Sequence, residues 1–187
     1  ANDTQRCYYC KRALCQRLKN IAKEEGLVFV LDGTNHDDRD DFRPGRKAAM
    51  ELGILSPLLE VGLNKEEIRA LSRNMGLPNW EKPSSPCIAT RLSYGTPITL
   101  DLLALIDKAE QSLHKLGLTQ FRVRHHGPIA RIEASPTDMA LFDDEKTRLR
   151  AIAELHDLGY TYVTLDLAGY RPGGRNGSHL DSTSLTL

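Results

Sequence analysis

The sequence lacks any apolar run that approaches the roughly 18 residues of a membrane span, and its first residues contain no apolar signal region. It also lacks an excess of charge of either sign, because 25 lysines and arginines balance 25 aspartates and glutamates. This balance removes any whole-chain electrostatic case for binding nucleic acid or a membrane surface. These absences predict a cytoplasmic protein that contacts neither membrane nor nucleic acid.

Two common catalytic patterns are also missing. No Ser-His-Asp constellation stands out, and no glycine-rich nucleotide loop is visible, since Gly33 and Gly45 lie too far apart to form one. The chain has 187 residues, of which 40% are hydrophobic, which is enough for a core of ordinary size. Its length allows one domain, or one domain and a small second one.

Cysteine is scarce, but its placement is informative. Four cysteines without a secretion signal favour reduced thiols or metal ligands over disulfides. Cys7 and Cys10 are three apart at the start of a predicted helix and project to the same side, and Cys87 follows far downstream. Three thiolates are one short of a closed zinc site, and in a 4Fe–4S cluster they leave one iron without a protein ligand. Spacing alone leaves open a cluster, a zinc site completed by His36 or His125, or two core thiols.

The first half of the chain alternates helix and strand signals. Residues 8–24 predict a helix with Cys15 at the margin of its apolar stripe, as core filler and not as a ligand. Residues 27–31 form a continuous apolar run that is typical of a buried parallel strand. Further elements are a helix over 43–52, an extended segment at 56–60, and a helix that begins with a capping box at Asn64 and Glu67. This alternation predicts an α/β layer.

The pattern changes after an irregular connector over residues 77–97, and loops of such length in compact domains are usually functional. Helix and strand signals then follow in the order α-β-β-α-β, at 100–116, 120–126, 128–134, 144–157 and 160–166. That order predicts a small α+β domain. The glycines, serines and threonines of the tail predict a flexible segment. The predicted domains are 1–95, 96–168 and 169–187.

The tetrapeptide Asp32-Gly33-Thr34-Asn35 directly follows the predicted buried strand. Ligands bind at the carboxyl ends of parallel strands, where Asp and Asn can hold magnesium or a ribose and Gly33 lets the backbone approach closely. The alternative is a tight turn in which Asp32 and Asn35 bond their own backbone, which is the commoner use of such a tetrapeptide. The residues alone leave both interpretations open.

Three arginines form a second candidate site. Arg122 and Arg124 are two apart on a predicted strand, so their guanidinium groups share one face, and Arg131 can join them from the next strand. Three fixed guanidinium groups with no adjacent carboxylate other than Glu133 would make a phosphate clamp. A solvent-exposed strand face explains the same pattern equally well, and the side chains of Arg122 and Arg124 are expected to face outward.

Several stretches of the sequence match one known family. Among them are Arg6-Cys7-Tyr8-Tyr9-Cys10-Lys11, Asp32-Gly33-Thr34-Asn35, Arg43-Pro44-Gly45, Glu51-Leu52-Gly53-Ile54-Leu55-Ser56-Pro57-Leu58, Lys82-Pro83-Ser84-x-x-Cys87, Arg122-Val123-Arg124-His125 and Leu165-Asp166-x-x-Gly169-Tyr170-Arg171. Together they resemble the LarE-type branch of the PP-loop ATP pyrophosphatases, and the resemblance covers nearly all of residues 6–171. These are ATP-dependent sulfur transferases that make the nickel-pincer cofactor of lactate racemase.

The resemblance implies a parallel-sheet PP-loop domain followed by a small α+β domain. It implies an enzyme that uses ATP and Mg²⁺ to convert carboxylates of pyridinium-3,5-biscarboxylic acid mononucleotide to thiocarboxylates, with a sulfur donor that the sequence does not identify. Arg122 and Arg124 would hold the substrate phosphate, and Asp32, Thr34 and Asn35 would line the nucleotide side of the sheet. Members of the family assemble into larger oligomers, so a homo-oligomer is implied as well.

In that family the cysteine that matches Cys87 is the sulfur site. Some members spend the sulfur of this cysteine itself and are left with dehydroalanine. Others carry two further cysteines, which match Cys7 and Cys10, and use a three-cysteine 4Fe–4S cluster as the sulfur carrier. This sequence has all three cysteines, so the resemblance implies the cluster type.

One departure from the family pattern concerns ATP. The family's Ser-Gly-Gly-x-Asp-Ser loop belongs near the N-terminus and does not occur in these 187 residues. We therefore expect an N-terminally incomplete PP-loop domain whose ATP-binding loop precedes Ala1.

The sequence also allows two alternative functions. A PP-loop tRNA 2-thiolation enzyme can also use three cysteines and a cluster, although neutral charge and the lack of a basic run weigh against it. The other alternative is a non-enzymatic module stabilised by zinc.

Overall fold

The computed structural model describes residues 2–39, 44–82 and 86–171. The chain divides into two compact units: a first unit, Asp3–Ser85, and a second unit that joins Ala1–Asn2 to Pro86–Leu187. The predicted domain boundaries after residues 95 and 168 stay predictions, and most of the predicted flexible tail lies outside the described residues. Within the described ranges, no helix is both long enough and apolar enough to cross a membrane.

The first unit is built mainly from helices. They are α1 (Arg6–Glu24), α2 (Pro44–Glu51), α3 (Pro57–Glu60) and α4 (Lys65–Asn74), with a 3-10 turn at His36–Asp38 between α1 and α2. A small core of Cys15, Ala49 and Ile54 joins α1 to α2 and the segment that follows it. The capping box predicted at Asn64 and Glu67 is present at the start of α4, with both reciprocal hydrogen bonds at 2.9 Å. Cys15 is buried, as predicted.

The predicted buried strand at 27–31 is wrong. Val28 is 83% exposed, Leu27 and Phe29 are exposed too, and the segment makes a single parallel bridge, Leu31 to Leu55. An apolar run becomes a buried strand only where neighbouring strands pair with it and cover its faces, and no such neighbour occurs among the described residues. A parallel-sheet domain is therefore not confirmed. The predicted extended segment at 56–60 is likewise a helical turn, α3, because Pro57 at its first position is preorganised for helix.

The second unit is a small α+β fold that contains the predicted elements in the predicted order and adds a short helix, Pro136–Ala140, that was not predicted. A 3-10 turn (Ile88–Arg91) precedes α5 (Leu100–Lys115), the strands β1 (Phe121–His126) and β2 (Ile129–Ala134), α6 (Pro136–Ala140), a 3-10 turn (Leu141–Asp143), α7 (Glu145–Asp157) and β3 (Tyr162–Leu165). The sheet order is β1-β2-β3, with β1 antiparallel to β2 and β3 parallel to β2. Helices α5 and α7 and the strands β1 and β2 supply its core, with Ala109, Leu113, Val123, Ile132, Ala151 and Leu155 among the buried residues.

Asp138 in α6 connects that helix to the segment before β1. Its buried carboxylate accepts hydrogen bonds from the Gln120 amide at 2.6 Å and from the amide and hydroxyl of Thr119 at 3.2 and 3.3 Å. We expect Asp138→Ala to lower the free energy of unfolding by at least about 2 kcal/mol, since it removes several hydrogen bonds to a charged group, each of which contributes about 1.5–3 kcal/mol. Urea unfolding measures this loss. The control is Asp143→Ala, which removes an exposed carboxylate, and an equal effect of both substitutions would contradict the prediction.

Candidate functional site

Cys7 and Cys10 lie in the first turns of α1, and both thiols are exposed. Helix α2 packs closely against this part of α1. A Cβ atom at Gly45 would lie 3.2 Å from the Cys7 carbonyl oxygen and 3.3 Å from the Lys11 Cβ, so only glycine allows this approach without a shift. The pair is therefore presented to solvent on a helix turn that α2 holds in place.

Asp32 lies beside the same helix. Its carboxylate accepts hydrogen bonds from the Ser56 hydroxyl at 2.7 Å and the Thr34 amide at 3.1 Å, and the Lys11 ammonium lies 3.3 Å away. Partial burial opposes ionisation, but the hydrogen bonds from Ser56 and Thr34, together with the Lys11 charge, lower the pKa of Asp32. Asp32 is therefore an ionised carboxylate tied to the helix that bears Cys7 and Cys10.

The tetrapeptide at 32–35 adopts the tight turn that was one of its two interpretations. The Asp32 carboxylate accepts from the Thr34 amide, and the Asn35 side chain accepts from the Asp37 amide at 3.1 Å and caps the following 3-10 turn. These local bonds use side-chain oxygens that a ligand would need. A nucleotide-binding role for Asp32, Thr34 and Asn35 stays a prediction.

Arg122 and Arg124 are buried, with relative exposures of 4% and 3%, so the outward face expected for both of them is wrong. Arg124 donates from Nε to Glu133 at 3.0 Å and from Nη1 to the Thr90 carbonyl at 2.5 Å. Arg131 pairs with Glu133 and with Asp166, each at 3.1 Å. The alternation of side chains along a strand correctly places Arg122 and Arg124 on one face of β1, but it does not say which elements cover that face.

Arg122 differs from the other two arginines in its partners. Its guanidinium donates to the Tyr170 hydroxyl at 3.1 Å and the Arg171 carbonyl at 3.3 Å, and it lies 4.6 Å from the Tyr170 ring centroid. Its buried Nε has no hydrogen-bond partner, and no carboxylate pairs with it among the residues that the structure describes. A buried cation without a carboxylate partner could bind an anion, because a charge out of water needs a compensating one.

Cys87 is exposed and directly precedes the 3-10 turn at Ile88–Arg91 in the second unit. The structure brings this predicted sulfur site and Arg124 into one network, because Arg124 binds the carbonyl of Thr90 in that turn. Sequence reasoning missed two residues of the network, Arg91 and Glu110, which form a buried ion pair at 2.8 Å. Nothing in the sequence indicates that Arg91 and Glu110 contact each other, because they are charged residues at distant positions in the chain.

The candidate metal ligands fall into both units. Cys7, Cys10 and His36 lie in the first unit, and Cys87 and His125 lie in the second. Across residues 2–39, 44–82 and 86–171, no group of three or more His, Cys, Asp or Glu side chains that could hold a metal ion is found. The three-cysteine cluster and a magnesium ion therefore stay predictions. The donor type of the three cysteines still fits the cluster, since exposed thiols are the soft ligands that iron–sulfur clusters require.

His125 does not look like a zinc ligand, because its ring is buried against Tyr160. The His125 Nδ1 lies 3.2 Å from the Tyr160 hydroxyl, and the two rings meet edge to face. Burial lowers the pKa of His125 and, together with the nearby Glu110 charge, raises the pKa of Tyr160 to about 12. Both groups are thus held neutral inside the second unit at neutral pH.

This neutral histidine predicts a pH-dependent stability. Because the folded state lowers the pKa of His125 below 6.5, the unfolded chain binds a proton there that the folded chain resists. Stability should be complete above about pH 6.5 and should fall as the pH drops through the folded-state pKa. Urea unfolding at about pH 7.5 and about pH 5.5 measures the loss, and His125→Gln should make it smaller. Burial also lowers the pKa of His126, so His126→Gln is the control that separates the two contributions.

The chain is similar in sequence to several known proteins. No protein-family model matches the chain. The chain is 42% identical over 178 residues to the pyridinium-3,5-bisthiocarboxylic acid mononucleotide synthase of Lactiplantibacillus plantarum, a match that covers 94% of this chain and 63% of that protein. It is 42% identical over 176 residues to an uncharacterized protein of Synechocystis sp., covering 94% of this chain and 66% of that one.

A third relative is more distant. An uncharacterized protein of Methanocaldococcus jannaschii is 30% identical over 172 residues, which cover 91% of this chain and 66% of that protein. The chain thus spans slightly less than two thirds of the length of each of these relatives.

Proposed function

We propose that this protein acts in ATP-dependent sulfur transfer to a pyridinium mononucleotide. Its 42% identity, over 94% of the chain, to a pyridinium-3,5-bisthiocarboxylic acid mononucleotide synthase supports a LarE-type protein. That identity is the observation that carries the proposal. Its product would be the thiocarboxylate form used to build the nickel-pincer cofactor. Similarity to a named synthase also supports an enzyme over a non-enzymatic zinc module.

Cys87 is the sulfur site in this proposal. Its thiol is exposed, while its backbone belongs to a turn bonded to the buried ion pair of Arg91 and Glu110. Cys7, Cys10 and Cys87 would hold the 4Fe–4S cluster, which supplies an iron without a protein ligand that can carry sulfide. The exposed thiols of this chain provide the soft donors for it.

Arg122 is the residue to which we assign the substrate phosphate. Its guanidinium is buried, stacks on Tyr170 and has one unbonded N–H, whereas Arg124 already binds Glu133 and the Cys87 turn. Arg124 would therefore hold the turn beside the phosphate. A planar guanidinium suits a phosphate because it can donate two parallel hydrogen bonds.

ATP would bind to the first unit. Asp32, Thr34 and Asn35 would lie on the nucleotide side, with Asp32 kept ionised by hydrogen bonds from Ser56 and Thr34 and by the Lys11 charge. The magnesium ion would arrive bound to ATP. The homo-oligomer implied by the family resemblance and the cytoplasmic location predicted from the sequence are part of the same proposal.

The proposed reaction has two steps. A substrate carboxylate oxygen attacks the α-phosphorus of ATP, an acyl adenylate forms, and pyrophosphate leaves. A sulfide-level sulfur delivered at Cys87 then attacks the acyl carbon, the C–O bond to AMP breaks, and the product loses a proton to give the thiocarboxylate. When sulfide is supplied, the second step leaves the protein unchanged. When the cysteine sulfur itself is transferred, the Cys87 thiolate attacks the acyl carbon and AMP leaves, which gives a thioester. A β-elimination then removes the Cα proton of Cys87 and breaks its Cβ–S bond, so that the thiocarboxylate is released and dehydroalanine remains.

The function is tested with the mononucleotide, ATP, Mg²⁺ and sulfide in an anaerobic assay. Mass spectrometry is expected to show replacement of carboxylate oxygen by sulfur, with AMP and pyrophosphate released in step with it. Sulfur transfer to tRNA with no thiocarboxylate product would favour the 2-thiolation alternative. Stoichiometric zinc, with no iron, no labile sulfide and no product, would favour the structural module.

Arg122→Ala tests the phosphate assignment. Loss of a charge-assisted contact costs about 1.5–3 kcal/mol, so we expect the Kd for the phosphorylated substrate to rise by about 10-fold to 150-fold. Isothermal titration calorimetry with the mononucleotide and with its dephosphorylated nucleoside measures the contact. The difference in affinity between these two ligands should shrink in the variant. Arg148→Ala, an exposed arginine that donates to the Phe142 carbonyl, is the control, and an unchanged preference for the phosphorylated ligand in Arg122→Ala would contradict the assignment.

A further inference from the structure

The backbone of Cys87 is tightly bonded, although its thiol is exposed. The Cys87 carbonyl accepts hydrogen bonds from the Thr90 amide at 2.9 Å and from the Thr90 hydroxyl at 2.7 Å, and Arg91 Nη1 lies 3.5 Å from it. The same Nη1 donates to the Pro86 carbonyl at 3.2 Å and lies 3.2 Å from the Thr90 hydroxyl oxygen. One guanidinium nitrogen therefore contacts both sides of Cys87.

The Arg91 side chain is itself fixed from the other direction. Only 7% of the residue is exposed, and its Nε and Nη2 donate to the two oxygens of Glu110 on α5 at 2.8 and 3.2 Å. A paired, two-point contact of this kind holds the plane of the guanidinium, which a lysine ammonium cannot reproduce. The Glu110 carboxylate also compensates the buried positive charge of Arg91.

Glu110 connects the pair to the sheet. Its Oε1 also accepts a hydrogen bond from the Val123 amide of β1 at 3.0 Å, and Leu92, directly after Arg91, forms a bridge with His125 of the same strand. An unbroken series of polar contacts thus runs from β1 through Glu110 and Arg91 to the Cys87 backbone. Val123 lies between Arg122 and Arg124 in the sequence. The series of contacts therefore connects Cys87 to the strand that bears the proposed phosphate site.

We propose that Arg91 is a positioning residue that fixes the Cys87 thiol relative to β1, an inference that rests on the proposed role of Cys87 in sulfur transfer. Arg91 acts through the backbone carbonyls of Pro86 and Cys87, to which its Nη1 is directed. Its effect is geometric: sulfur transfer needs the attacking atom within contact distance of the acyl carbon, and a small displacement of a reacting group slows such a step strongly.

The test uses Arg91→Lys, which keeps the charge beside Glu110 but loses the fork. A nitroxide label is placed on Cys87 in the full chain with Cys7→Ser and Cys10→Ser, since Cys15 is buried. We expect electron paramagnetic resonance to show a more mobile label in Arg91→Lys. The amides of Thr90 and Leu92 should exchange hydrogen about tenfold faster, equivalent to about 1.4 kcal/mol. Leu155→Val, in the core of the same unit, is the control for general destabilisation.

Two results would overturn the positioning role. One is an unchanged label and unchanged exchange in Arg91→Lys, and the other is equal mobilisation in Leu155→Val. With all cysteines restored, the sulfur-transfer assay should show a lower kcat with an unchanged KM for the mononucleotide, and the reverse pattern would also overturn it. Failure of the proposed function is separable, because full sulfur transfer by Cys87→Ser would remove the role of Cys87 while leaving the label and exchange results intact.

Discussion

Cys87→Ser is expected to reduce sulfur transfer to the background level and, at the same time, to abolish the brown colour and labile sulfide that the proposed cluster would give the protein. The serine oxygen is a hard, protonated ligand that does not replace a thiolate on iron, and it cannot deliver sulfur. Cys7→Ser and Cys10→Ser should have the same double effect, since one three-cysteine cluster needs all three ligands. Iron and sulfide analysis after anaerobic purification, together with the thiocarboxylate assay, measures both.

Cys15→Ser is the matched control, because Cys15 is a buried cysteine of the same helix as Cys7 and Cys10. It should keep the colour and the transfer activity and lose only some stability, as expected when a hydroxyl replaces a core thiol. If Cys7→Ser and Cys10→Ser remain active while Cys87→Ser does not, the cluster hypothesis is wrong. A sacrificial Cys87 then becomes the better explanation, and a dehydroalanine at that position should be detected by peptide mass spectrometry.

The longer helices of this chain were predictable because local rules determine them. The Asn64 and Glu67 side chains cap α4 reciprocally, and the apolar stripe of α5 supplies buried residues such as Ile106, Ala109 and Leu113. The α-β-β-α-β order of the second unit also follows from local periodicity and length. These features need no knowledge of distant residues.

The errors arose where distant residues decide the outcome. The run at 27–31 has the composition of a buried strand, yet burial requires flanking strands that the described residues do not provide. The arginines of β1 were expected to face solvent, because the alternation of a strand assigns a face but not what packs on it. The Thr90 carbonyl, from a turn some thirty residues earlier in the chain, covers Arg124, and Tyr170 covers Arg122. The site was therefore predictable in its residue types and not in its network.

Glu110→Ala tests the buried ion pair and should have the largest effect on stability. Removing the carboxylate leaves the Arg91 guanidinium buried without its charge partner and deprives the Val123 amide of its acceptor. Breaking a buried pair in this way costs about 3–5 kcal/mol, and urea unfolding should show a loss of that size. Replacing both partners, as Arg91→Met with Glu110→Leu, should recover most of it, because no unpaired charge then remains. A loss below about 1 kcal/mol in Glu110→Ala would show that the pair contributes little.

Tyr160 provides an independent measure of the same charge. Its pKa of about 12 is raised first by burial and second by the negative charge of Glu110. Glu110→Ala should therefore lower the pKa of Tyr160 toward 10, whereas Glu133→Gln, a change at a carboxylate that pairs with Arg124 and Arg131, should leave it in place. Ultraviolet titration of the tyrosines in each variant, with Tyr160→Phe to identify the signal, measures the shift. If Tyr160 titrates identically in Glu110→Ala and in the unmodified protein, the Glu110 charge does not act on this part of the core, and the loss of stability must then come from Arg91 and Val123 alone.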